Sequence, residues 1–189
     1  MSNSELANIV LQSERLILRP PRLDDAPLIS AYMNNLNVTR TLLRPPYPYH
    51  ESDARAYLLA AIEARSTGYW FPCIIERKQD GLLIGSMGLS LTPEFKRGEL
   101  GYWLGEQFWN HGYATEALLK MIDFGFEQFD LIRIQANHFT DNPASGRVMQ
   151  KAGMTYEGVL RHYFMRFDQP KDAAFYGILR EEWQRQSNH

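Results

Sequence analysis

The chain has 189 residues, 44% hydrophobic and 13% aromatic, enough to bury a substantial core within a single domain. Its 20 basic and 22 acidic residues leave a formal charge of −2 spread along the chain, which excludes an electrostatic nucleic-acid binder but leaves a basic partner open. A lone cysteine, Cys73, cannot form an internal disulfide and fits a reducing cytoplasm, and no apolar run has the length of a secretion signal or a membrane span.

Residues 1–12 carry no periodic signal and are expected to form a loose arm. In residues 13–19 Leu16 and Leu18 alternate with Arg15, Ile17 and Arg19 ahead of Pro20, which predicts an edge strand. Asp24 and Asp25 open a helix reaching about Asn34, with both acids at the positive end of its dipole. Residues 36–50 hold Arg40, Arg44 and the run Pro45-Pro46-Tyr47-Pro48-Tyr49, too much proline for a helix or a central strand. An exposed loop of the kind that carries specificity is expected there. Glu51 or Ser52 caps a second helix with a mostly apolar face of Ala54, Tyr57, Leu58, Ala61, Ile62 and Arg65, and Gly68 closes it. Three strands follow, at residues 69–77, 82–91 and 97–104, the first two joined by the hairpin signal Asp80-Gly81.

Residues 101–121 join the end of an apolar strand to a helix through a turn rich in glycine and aromatics. Ala114, Ala117, Leu118, Met121, Ile122 and Gly125 form one helical stripe that must pack on a sheet. At the helix start, the backbone from Asn110 through His111, Gly112, Tyr113 and Ala114 to Thr115 offers N–H groups with no intrahelical acceptor, which suits an anion. Gly112 alone reads equally as a turn residue. A strand at residues 132–138, a short helix opened by Asn142-Pro143, and strands at 155–167 and 173–179 separated by a turn at 168–172 complete the chain. The order β-α-α-β-β-β-α-β-α-β-β sets antiparallel hairpins around one β-α-β crossover. It predicts an α/β fold with a mixed, mostly antiparallel sheet holding one parallel pair. The five histidines, His50, His111, His138, His162 and His189, lack metal-ligand spacing, so no metal is expected. His138 and His162, on strands expected to be neighbours, would approach the acceptor amine, although satisfied strand histidines are the more usual reading.

Strand, turn and helix at residues 101–121 resemble the cofactor segment of the GCN5-related N-acetyltransferases, the GNAT family. Gly112 and Ala114 match its last two fixed positions, and Trp109 stands where glutamine or arginine is commonest, as in the Rim-type branch that acetylates ribosomal-protein N-termini. The segments SERLILRP, RPPYPYHESDARAYL, DNPASGRVMQKAGM and EGVLRHYF match in order, so the likeness covers nearly the whole chain. It implies a GNAT-like fold and transfer of acetyl from acetyl-CoA to a primary amine, foremost a protein N-terminal α-amine. A small-molecule amine such as a polyamine, toxin or antibiotic is the alternative acceptor, and a non-catalytic acyl-CoA-binding module is the reading from another class.

The resemblance also implies roles. The backbone of residues 110–115 would cradle the pyrophosphate, Trp103 and Leu104 would bond the pantetheine arm, Asn142 would contact the cofactor, and Ser145 would protonate the departing thiolate. Alone, Asn142 and Ser145 are ordinary helix-start residues. The chemistry also needs a base for the ammonium, and Glu99 is the candidate, directly or through water, although it reads equally as a solvated strand carboxylate. The acceptor would enter beside the Trp103-Leu104 strand end, between residues 36–50 and the turn at 168–172. Arg40, Arg44, Tyr47 and Tyr49 with His162 and Tyr163 would line an aromatic, partly positive pocket that disfavours a polycation. Expected partners are the acceptor amine alone, with no nucleic acid or membrane and with a homodimer left open.

Overall fold

The computed structural model describes residues 6–187, so residues 1–5 of the expected arm lie outside the described part. Its sheet has eight strands: β1 (Leu11–Gln12), β2 (Leu16–Arg19), β3 (Trp70–Arg77), β4 (Leu82–Thr92), β5 (Arg97–Leu104), β6 (Arg133–Phe139), β7 (Thr155–Arg166) and β8 (Gln169–Leu179). They lie in the order β1-β2-β3-β4-β5-β6-β8-β7, all neighbours antiparallel except β5 and β6. The described helices are α1 (Ala26–Met33), α2 (Leu36–Thr39), α3 (Glu51–Thr67), α4 (Tyr113–Gln128), α5 (Pro143–Lys151) and α6 (Arg180–Ser187). The mixed sheet with one parallel pair is the one the element order predicts, and α4 is the crossover that a parallel pair requires.

The two faces of the sheet are covered differently. The α4 stripe, with Ala117, Leu118, Met121 and Ile122 all buried, packs with α5 over one face against Phe71, Met87, Leu89 and Leu100. Each fully buried Leu or Met there contributes roughly 1.5–3 kcal/mol, an upper estimate from area burial. On the other face α1 and α3 pack together over Ile74 and Leu83 through Ile29, Met33, Ala54 and Leu58. Gly68, at φ 79°, ends α3 in the left-handed conformation that glycine adopts without strain.

Several expectations are corrected. Residues 6–12 are not a loose arm: Leu6 is buried, Leu11–Gln12 pairs with β2, and Arg65 holds the segment. Arg65, 3% exposed on the apolar face of α3, donates to the carbonyls of Ala7 (2.8 Å), Ile9 (2.9 Å) and Pro72 (2.8 Å). The Leu16–Arg19 strand is therefore interior, flanked by β1 and β3, because the docked segment supplies the outer edge. Residues 169–172 are strand rather than turn. Phe167 (φ 49°) and Asp168 (φ 56°) make the hairpin in two left-handed residues, so Pro170 already pairs with Met165. Helix α6 was not expected. Trp183 anchors it, stacking on Phe126 and donating to Asp123 at 2.8 Å.

Candidate active site

Parallel pairing between β5 and β6 begins at Arg97–Arg133 and stops at Leu100–Ala136. Beyond it, Gly101–Leu104 of β5 stays paired with β4, while Asn137–Phe139 of β6 stays paired with β8. The strands part, and on that side the backbone polar groups of β5 have no sheet partner; apart from the Leu104 carbonyl, which the Trp109 indole takes, they are open to a ligand. Side chains alternate across this strand: Leu100, Tyr102 and Leu104 turn toward α4 and α5, whereas Glu99 and Trp103 turn to the opposite face. Gly101 lies on the Glu99 side, and a Cβ there would meet nothing within 4 Å.

At the strand end, Trp109 donates its indole N–H to the Leu104 carbonyl at 2.9 Å, so the residue that departs from the commoner Gln/Arg pattern ties the turn to the sheet. Asn110 (φ 63°) and Gly112 (φ 80°) are both left-handed, and Gly112 caps α4 without any side-chain bond to the helix amides. The first intrahelical bond runs from the Glu116 amide to the Gly112 carbonyl, which leaves the amides of Tyr113, Ala114 and Thr115 as free donors at the positive helix end. Such a start fits a pyrophosphate. Arg15 braces it: its guanidinium donates to the His111 carbonyl (3.0 Å) and Glu116 (2.7 Å) and lies 4.7 Å from the centre of the Tyr113 ring. Burial pushes the Glu116 carboxyl up, but bonds from the Arg15 amide, the Ser13 hydroxyl and the Arg15 guanidinium outweigh it and hold it below its ordinary value. His111 is exposed, stacks on buried Tyr113 and bonds the Trp109 carbonyl.

On the open face, Glu99 accepts hydrogen bonds from Gln135 Nε2 (2.9 Å) and Asn137 Nδ2 (3.3 Å). Arg133 Nε donates to Gln135 Oε1 at 3.3 Å, which fixes the amide with its NH2 toward Glu99. Arg133 is in turn held by a bidentate pair with Glu157, and that bond keeps the Glu157 carboxyl below its ordinary value. A Cβ on Gly177 would lie 2.7 Å from both Arg133 Nη1 and Glu157 Oε1, so the pair crosses the sheet only because a glycine lies beneath it. Sequence reasoning missed Arg133, Gln135 and Asn137. Their period-2 spacing on one strand was the available signal.

Across the seam, Ser145 sits in the first turn of α5 with Oγ 2.8 Å from the Tyr102 hydroxyl. Asn142 caps α5 without a side-chain bond to it, so its amide is not committed to capping. His138 lies on the α5 side, against Gly146 and Tyr176 and away from Glu99, because the strand alternation turns it there.

The expected acceptor walls are only partly assembled. His162 (φ 51°) and Tyr163 sit at a bulge of β7, in an open concavity with Val159, Leu160, Arg161 and Asp172, where the Asp172 carboxylate accepts from the His162 amide at 2.7 Å. Arg40, Arg44 and Tyr47 are exposed on the loop after α2 and do not line that concavity. Tyr49 is 5% exposed in the core beneath α3, and burial pushes its phenol to about 12, so it is a packing residue rather than a wall. Arg166, which the sequence did not flag, ties loop to hairpin by donating to the Thr39 (2.9 Å) and Leu43 (3.3 Å) carbonyls over the face of Phe167.

A free helix start beside a parted parallel seam sets a phosphate site next to open strand backbone, an arrangement that suits a phosphate-bearing cofactor. A family model described as the acetyltransferase (GNAT) domain matches residues 15–155, and the chain belongs to that family. It is 35% identical over 90% of its length, and 97% of the relative's, to the uncharacterized N-acetyltransferase YoaA of Bacillus subtilis. To a ribosomal-protein-serine acetyltransferase of Escherichia coli it is 26% identical, over 77% of this chain and 81% of that one. Its fold superposes with a TM-score of 0.83 on a RimL ribosomal α-N-protein acetyltransferase in complex with coenzyme A, at 21% identity, covering 90% of this chain and 98% of that one. The chain is thus a GNAT N-acetyltransferase with acetyl-CoA as co-substrate.

Proposed function

We propose that the acceptor is the N-terminal α-amine of a protein, of the ribosomal-protein type, and that acetyl transfer occurs on the Glu99 side of the parted seam. The observation that carries this reading is the placement of Glu99 on an exposed face beside Gly101, whose missing side chain leaves open space for a chain end to approach. An α-amine has an ordinary pKa of about 7.7–8.0, so a carboxylate held by two amides has a modest task, whereas a lysine amine near 10.4 would demand more. The name of the Escherichia coli relative supports the acceptor class.

In this reading the amides of residues 110–115 hold the pyrophosphate, the free edge of β5 near Trp103 and Leu104 bonds the pantetheine, and Asn142 contacts the cofactor. Glu99 takes the proton of the amine, and Ser145 gives one to the leaving sulfur. Arg40, Arg44, Tyr47, His162 and Tyr163 receive the rest of the acceptor. The single buried Cys73 and this acceptor class agree with a cytoplasmic enzyme. Among the described residues no helix is long and apolar enough to cross a membrane. The reading is tested by thiol release from acetyl-CoA with free N-terminal peptides set against polyamines and aminoglycoside-like amines. Faster turnover of the peptides supports it, and preference for a small amine overturns it.

A further inference from the structure

Tyr102 is the second residue of β5 past the end of the parallel ladder, and its side chain crosses the opened seam to the first turn of α5. Its hydroxyl lies 2.8 Å from Ser145 Oγ and 3.2 Å from the Ser145 carbonyl oxygen. Among the described residues these are the hydrogen bonds that join β5 to α5. The phenol has one proton and two acceptors on the same residue, so two arrangements exist. If the phenol donates to the carbonyl, Ser145 spends its own proton on the phenol oxygen. If it donates to Oγ, the serine proton is free to point elsewhere and the serine rotamer is fixed by the incoming bond.

We propose that Tyr102 is a positioning residue for acetyl transfer: it donates to Ser145 Oγ and so leaves the serine proton directed at the departing sulfur. The inference rests on the reading of Ser145 as the acid. In the step, the amine nitrogen bonds the acetyl carbon while Glu99 takes a proton from it. The C–S bond breaks with its electron pair going to sulfur, and Ser145 gives its proton to that thiolate. Glu99 then releases its proton to solvent and Ser145 regains one from solvent, so the products are the acetylated amine and the free thiol. Tyr102 keeps its proton throughout. Burial pushes its phenol far above the ordinary value and the bond with Ser145 only partly offsets this, which makes it a fixed donor and not a proton source.

The test is a double-mutant cycle on the full chain with Tyr102→Phe and Ser145→Ala, read by thiol release at saturating acetyl-CoA and acceptor, with CoA affinity from calorimetry. Tyr102→Phe removes one oxygen and keeps the ring, and thermal melting checks that the fold is retained. The expected result is a kcat about tenfold lower in Tyr102→Phe, a fraction of a general-acid contribution, with CoA affinity unmoved. In the Ser145→Ala background the same change should alter kcat by less than about twofold, the coupling expected of groups acting as one unit. If Tyr102→Phe runs at the wild-type rate while Ser145→Ala is slow, the positioning role is overturned and the acid stands. Equal slowing in both backgrounds also overturns it, since Tyr102 would then act independently of Ser145. A wild-type rate in Ser145→Ala removes the acid reading itself and the inference with it.

Discussion

Leu100 and Ala136 are the last residues to face each other across the parallel seam, and the two β5 side chains proposed to act in the transfer, Glu99 and Tyr102, lie within two positions of that pair. One residue before it, Glu99 turns to the open face, and two residues after it Tyr102 turns to the α5 face and meets Ser145. Strand alternation therefore puts a carboxylate on one side of the sheet and a hydroxyl pair on the other, with the parted seam between them. An acceptor can approach one face while acetyl-CoA reaches the other.

Glu99→Gln should lower turnover roughly 10- to 1000-fold, the range of a general-base contribution, with CoA affinity unchanged. Gln135→Ala should lower it less, because Asn137 still donates to the carboxylate. Steady-state rates of the two variants check this, and wild-type turnover in Glu99→Gln removes the residue from the mechanism.

Gly112→Asp tests the cradle. The position needs φ 80°, which aspartate tolerates better than most residues, and a Cβ there would meet only Arg15 Nη2, at 3.3 Å. The fold should persist, while the new negative charge at the free amides should abolish CoA binding by calorimetry. Unchanged affinity would place the pyrophosphate elsewhere.

Arg40→Ala combined with Arg44→Ala should raise the acceptor KM and leave CoA affinity alone, the pattern of lost uniform binding. Arg166→Ala should act the same way for another reason, since it unties the β7–β8 hairpin from the Thr39 and Leu43 carbonyls. An effect on CoA affinity in either variant would contradict this division of the site.

The Arg15–Glu116 tie predicts a pH dependence. In the folded chain the Glu116 carboxyl is held below its ordinary value of 4.5, so its contribution to stability is full above that value and is lost as pH falls through the folded one. Glu116→Gln should therefore melt below the wild type at pH 7, with the gap closing as the pH falls below 4.5 and through the folded value. A gap of constant size at all pH values would show that the ion pair does not contribute.

Much of this was legible in the residues. The stripe of α4, the Asp80-Gly81 hairpin and the glycine cap at Gly68 are local signals, and each produced its element within a residue or two. What escaped was non-local. Arg65 looks like a polar end to an apolar helix face until the N-terminal carbonyls it holds are in place. Tyr49 sits in a proline-rich run that reads as exposed, yet it is buried beneath α3, because the loop folds back onto the core. The Phe167-Asp168 turn carries no glycine, and Pro170 in the next strand drew the turn too far along the chain. The pairing of Tyr102 with Ser145, 43 residues apart, has no sequence signature at all.

The proposed acceptor is a protein N-terminal amine. The most direct measurement of this is acetyl-CoA thiol release with three acceptors at equal concentration: a peptide with a free N-terminus, the same peptide N-terminally blocked but with an internal lysine, and spermine. The expected result is turnover of the free N-terminus, roughly tenfold or more slower turnover of the blocked peptide and of spermine, and loss of the peptide rate in Glu99→Gln. Spermine outpacing the free peptide, or acetyl-CoA binding with no thiol released to any amine, would contradict it.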